Sequence, residues 1–163
     1  MRSAARWAGL IAGFGMVVVS AGGAQAQAPR PEALESRAVA LIANRPDYAG
    51  AAKTFHRAAV LRSSEDAQAI ADLRLADLLY ANAGNLHAAA AAMEGAGDKA
   101  LTQGDFGAAA EAYANAALIG ARADNGRTKL LAHRARWLAD QPTVSDAART
   151  LVQQRLRAVP TAP

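Results

Sequence analysis

The feature that most restricts what this chain can fold into is a spacing that returns at successive helix starts. Asp47 is followed by Tyr48, Ala51, Phe55 and Ala58; Asn85 by Leu86, Ala89, Met93 and Ala96; Asp105 by Phe106, Ala109, Tyr113 and Ala116. A weaker fourth copy, Asn125, Thr128, Ala132 and Ala135, follows Asp124. Steps of three and four place side chains on one face of a helix, so each copy pairs small and large residues along one stripe. The starts Tyr48, Leu86, Phe106 and Asn125 lie 38, 20 and 19 positions apart, so one helix and its turn take 19–20 residues. A single hairpin cannot bury such a stripe alone, and internal periods of this size therefore point to stacked helices.

Composition agrees with that pattern. Alanine supplies 46 of 163 residues and is the best helix former, whereas aromatics are only 5%, too few for the core of a sandwich or barrel. The absence of cysteine excludes a disulfide framework, a thiolate zinc site and a cysteine nucleophile. Turn residues and periodicity predict seven helices over residues 32–44, 48–61, 65–83, 86–102, 106–122, 127–139 and 144–158. The third, with Ile70, Leu73, Leu75, Leu78, Leu79 and Tyr80, is apolar around most of its circumference and is expected at the centre. Asp140 to Thr143 should end the sixth helix and cap the last. Its stripe of Val144, Ala148, Leu151, Val152, Leu156 and Val159 suits a terminal cap with a polar outer face.

The first residues follow a different logic. Arg2 and Arg6 precede an uncharged apolar run of about 15 residues, and Ala24-Gln25-Ala26 supplies a small-x-small cleavage pattern. This is the layout of a secretory signal peptide, and the run is shorter than the ~20 residues needed to cross a bilayer. Residues 1–26 are expected to be removed after Ala26, leaving no membrane span in the mature chain and placing it in the periplasm or outside the cell. Residues 27–31 are expected to be an extended entry, 32–158 the helical domain and 159–163 a disordered tail. Without the leader, 16 Lys and Arg face 14 Asp and Glu, and the net charge falls from +4 to +2.

The Gly-Asp-Phe106-x-x-Ala109-x-x-x-Tyr113-x-x-Ala116 run resembles the second helix of a tetratricopeptide repeat. Leu73, Ala76, Tyr80 and Gly84 match part of the first-helix pattern, and the resemblance covers roughly residues 32–140. The chain departs from the family in its 38–39-residue period, in Asp77 where the family has Gly or Ala, and in lacking the proline that closes the repeat. The resemblance implies an all-α, tetratricopeptide-like array of about three antiparallel αα-hairpins plus a C-terminal capping helix. It also implies a protein or peptide partner along the concave face, for which the matching positions are Asn44, Arg74, Asn82 and Tyr113. Tyr113 equally matches the buried aromatic of the other helix type.

No catalytic pattern stands out. His56, His87 and His133 are isolated, with no HExxH spacing, and read as surface or boundary residues. The few serines lie outside GxSxG, there is no phosphate-binding glycine loop, and Glu94 and Glu111 sit on different predicted helices. No catalytic, metal or cofactor site is expected. The main charge feature is residues 122–157, where eight Lys and Arg face three acids. Arg127 and Arg134 share one face, as do Lys129 and Arg136, forming a candidate basic surface for an acidic protein, an anionic envelope polymer or a lipid headgroup. Export removes the chain from nucleic acid, so none is expected as a partner.

The leading expectation is therefore a non-enzymatic exported interaction or scaffold module. The alternative is an envelope structural or assembly subunit associating through its array ends or basic C-terminal helices; an enzyme with an unrecognised site ranks below both. Mass spectrometry of the exported protein should find a chain beginning at Gln27, and retention of residues 1–26 would refute the leader.

Overall fold

The computed structural model describes residues 29–44 and 46–160. The expected leader, its cleavage point after Ala26 and residues 161–163 lie outside the described residues. The described chain forms seven helices: α1 (Pro31–Asn44), α2 (Tyr48–Leu61), α3 (Ala67–Asn82), α4 (Leu86–Thr102), α5 (Phe106–Arg122), α6 (Thr128–Ala139) and α7 (Asp146–Arg157). No strand occurs among the described residues, and no helix among them is long and apolar enough to cross a membrane.

The repeated polar residue before each helix is a cap. Asp47 accepts from the Gly50 amide at 2.8 Å, Asn85 from Ala88 at 3.1 Å and Asp105 from Ala108 at 2.9 Å. Each satisfies one of the amides a helix start leaves without a partner. The turns repeat as well. Gly84 and Gly104 both have φ of 75°, and Asp124 takes the equivalent place after α5 with φ of 52°. In all three, the next residue's amide closes the turn: Asn85 onto Tyr80 O, Asp105 onto Ala100 O and Asn125 onto Gly120 O. Glycine reaches that left-handed conformation freely, and aspartate is among the few other residues that tolerate it.

Three boundaries differ from the sequence expectation for local reasons. Proline is pre-organised for the first helical position, so α1 begins at Pro31 rather than after it. Asp66 caps α3 through the Gln68 amide, so Glu65 lies before the helix. Ser145, not the 140–143 segment, caps α7, accepting from Ala148 at 3.3 Å.

The repeat positions form the core. Ala51, Phe55 and Ala58, Ala89, Met93 and Ala96, and Ala109, Tyr113 and Ala116 are all buried. From α1 to α6 each helix packs on its chain neighbours, and α7 turns back mainly onto α5 and less onto α6. These contacts follow the chain evenly, giving a continuous helical array with repeat-like packing of adjacent helices. The centre is α5, which touches α4, α6 and α7. The expectation that the third helix is central is corrected: α3 leaves Leu75 41% and Leu78 60% exposed. Its apolar residues exceed what one buried face can hold. Val144, Val152 and Leu156 of the last segment are buried as expected, and Val159 packs against the core.

Two glycines on α4 separate close packing from spare room. A Cβ at Gly97 would lie 3.0–3.1 Å from the ring of buried Tyr113, whereas one at Gly95 would meet Leu73 at an ordinary 3.6 Å. Gly95→Ala should therefore gain helix propensity and stabilise the fold by about 0.5–1 kcal/mol. Gly97→Ala should destabilise it by about 1–2 kcal/mol, because overpacking outweighs propensity. Urea denaturation of both variants checks the opposite signs.

Candidate functional site

A groove of about 610 Å³ opens between α2 and α4, above α3. Leu73 and Gly95 form its floor, with Ala59, Val60 and Ala91 adding apolar surface. Charged and polar groups rim it: His56 from α2, Glu94, Asp98, Lys99 and Thr102 from α4, and Arg127 from the α5–α6 turn. Helical spacing explains the set, since His56 and Val60 are four apart, as are Ala91 and Gly95, and Asp98 and Thr102.

Several rim groups are fixed. Arg127 reaches Glu94 at 2.5 Å across the rim. Tyr113 stands beneath, donating its hydroxyl to Asp98 at 2.5 Å, and Arg134 lies 5.7 Å over its ring. Burial, reinforced by Asp98, raises the Tyr113 pKa above its usual value, so the phenol stays a neutral donor. Lys99 donates to the carbonyls of Arg62 at 3.1 Å and Ser63 at 3.4 Å, tying α4 to the end of α2. The result is a shallow, mixed-polarity trough in which Glu94, Asp98 and Lys99 are already hydrogen-bonded. It suits recognition of an extended segment or helix bearing a small apolar side chain between polar ones.

The four positions implied by the family resemblance do not meet in one place. Arg74 and Asn82 share the exposed face of α3, with Leu75 and Leu78. Asn44 is exposed at the far end of α1, beside Arg37, Leu41 and Asp47. Tyr113 is 1% exposed: its ring is core, and its hydroxyl donates to Asp98 at the groove. Of the basic residues, Arg127 lines the groove, while Lys129, Arg134 and Arg136 are exposed on α6. His87 and His133 are exposed, and His56 is half-buried at the groove. Among the described residues no three His, Asp or Glu side chains are grouped to hold a metal.

In the sequence His56 reads as a surface or boundary residue and Glu94 as an isolated acid, and neither Asp98 nor Lys99 stands out. The readable signal was two matching stripes, 56/60 and 91/95 with 98/102, on alternate helices. Their joining required knowing that α2 and α4 flank the same side of α3.

A second polar cluster braces the array. The Arg62 side chain, 10% exposed, contacts Glu35 and Glu32 of α1, Asp66 at 2.8 Å and the fully buried Asp72 of α3 at 3.2 Å. Its hydrogen bond holds the Asp66 carboxyl below its usual pKa, while burial pushes Asp72 upward. A single guanidinium thus joins three helices around carboxylates that would otherwise repel. Asp77 has no such help. It is 9% exposed, its Oδ1 lacks a hydrogen-bond partner, and burial raises its pKa from the ordinary 3.8 to about 6.

No protein-family model, curated protein or solved structure matches the chain, so its residues alone carry the functional reading.

The Asp77 carboxylate sets a pH test. Because its folded pKa lies above the unfolded one, the native state keeps the proton longer. Stability is therefore lost as pH rises from about 3.8 through about 6. Asp77→Asn removes that loss. The variant should be more stable than the parent at pH 7, by on the order of 2–3 kcal/mol, and the advantage should vanish near pH 4. Urea midpoints measured across this range check both the sign and the window.

Proposed function

We propose that the chain is an exported, non-enzymatic, tetratricopeptide-like scaffold that binds a protein or peptide partner in the α2–α4 groove. The observation that carries this reading is the groove itself: an apolar floor of Leu73 and Gly95 inside a rim of opposite charges already held by neighbouring groups. Pre-ordered polar groups lose little freedom when a ligand arrives, which favours binding. The repeat spacing, the continuous packing of α1 to α6 and the leader pattern support the tetratricopeptide-like and exported parts of the reading. The rim has no nucleophile paired with a base and none of the spacing associated with catalysis, which favours recognition over reaction.

The test is crosslinking in periplasm followed by pull-down, comparing the parent with His56→Ala/Val60→Glu and with Arg74→Ala/Asn82→Ala. Val60 is 65% exposed, so the groove pair should leave folding intact, with circular dichroism as the control. The groove pair is expected to reduce recovery of the main partner by about tenfold, with the α3 pair leaving it unchanged. Unchanged recovery with the groove pair rejects the site, and loss confined to the α3 pair moves it to the face carrying Arg74 and Asn82. Light scattering separates the assembly-subunit alternative: a monomer mass at high concentration fits the scaffold, and growth with concentration fits the subunit.

A further inference from the structure

The exposed side of α6 combines two properties that the groove does not have. Leu130 is 48% exposed and Trp137 59% exposed. They are seven residues apart, two helical turns, and so form one apolar stripe about 10 Å long. Isolated exposed apolar residues are common and need no partner; two large ones aligned beside charge are a different case. The same helix buries Leu131, Ala132, Ala135, Leu138 and Ala139, so this stripe is additional to the face that packs on the array.

The stripe runs between positive charges. Arg134 adjoins it on one side and exposed His133 on the other, each three or four residues from Leu130 and Trp137; Lys129 and Arg136, also seven apart, lie one step beyond His133, so three full cations border the face. None of the three forms an ion pair among the described residues, whereas Arg127, Arg149 and Arg155 are paired with Glu94, Asp146 and Glu111. Arg136 also opens into the crevice between α6 and α7, where Arg157 adds another charge and Asp140 is the one acid.

We propose that this α6 face docks an acidic amphipathic helix. Apolar residues of the partner cover Leu130 and Trp137, and its carboxylates meet Lys129, Arg134 and Arg136. Charge selects the occupant. A second copy placed symmetrically on this face would set the same basic residues against one another, which disfavours self-association. A lipid surface would call for the broad apolar face of an interfacial helix, and this stripe has two residues. A helix of about two turns matches its length, and a third turn carries the flanking carboxylates. The proposal stands apart from the groove reading, because no α6 residue lines the groove.

The test is selection from a phage-displayed library of 14-residue helical peptides with randomised surface positions, using the full chain as bait. Enriched peptides are expected to be acidic, with apolar residues at i, i+3 or i+4 and i+7. They should bind Trp137→Ala at least about tenfold more weakly, lose binding to Lys129→Glu/Arg136→Glu, and bind His56→Ala/Val60→Glu like the parent. All five altered side chains are at least partly exposed, and thermal melts check that each variant remains folded. Enrichment of non-acidic peptides overturns the proposal, as does binding unchanged by the α6 variants. It is equally overturned if peptides fail to enrich while phosphatidylglycerol vesicles retain the parent and release Trp137→Ala.

Discussion

How closely two helix backbones can approach decides this structure, and alanine sets that distance. Among the described residues, 21 of the 32 buried hydrophobic side chains are alanine. A methyl group adds little apolar area, so such a core gains less from each buried side chain than one made of leucine. The compensation is close approach. Small residues let helix axes move toward ~8 Å, the short end of the usual range, and dispersion contacts then spread along the backbones. Gly97 carries this to its extreme, with the Tyr113 ring filling the space a side chain would occupy.

A core of small residues depends heavily on its few large ones and on polar anchors. Phe55, Met93 and Tyr113 recur at equivalent repeat positions, each filling the gap that alanine leaves at the next interface. Arg62 does for α1, α2 and α3 what a larger apolar core would otherwise do, gathering carboxylates of α1 and of α3 with its cap around the cation that ends α2. Such a hub is directional, so it fixes register as well as proximity. Asp77 shows the opposite arrangement: a buried carboxylate on the same helix, with an oxygen left unpartnered.

What could be read in the sequence was local. Asp47, Asn85 and Asp105 announced helix starts because capping acts within four residues, and the bounds of α2, α4 and α5 follow directly from them. The burial of Ala51/Ala58, Ala89/Ala96 and Ala109/Ala116 was equally legible as periodicity. Arrangement in space was not. The apolar girdle of α3 suggested a central helix, but position in the array depends on which neighbours a helix has, and α5 has more of them. Tyr113 matched two family positions at once, and only the packing of α4 against α5 decides that it faces inward. The groove lay deepest, since His56 and Asp98 meet only after two turns and an intervening helix bring α2 and α4 to one side.

The same geometry divides the surface electrostatically. Around the groove, charged groups already have partners: Glu94 is paired with Arg127, Asp98 accepts from Tyr113, and Lys99 donates to the carbonyls ending α2. A ligand there meets a template of low net charge, so shape and hydrogen bonding dominate its recognition. On α6, Lys129, Arg134 and Arg136 form no ion pair among the described residues, and only Arg134 has an aromatic face beneath it. The even series of helices ends at this point, and among the described residues Leu130 and Trp137 stay exposed. An uncompensated field extends farther from the surface than a paired one and acts on encounter rate before contact is made. One continuous stack of helices thereby yields an interior groove selective by fit and a terminal face selective by charge, because a stack must have an end.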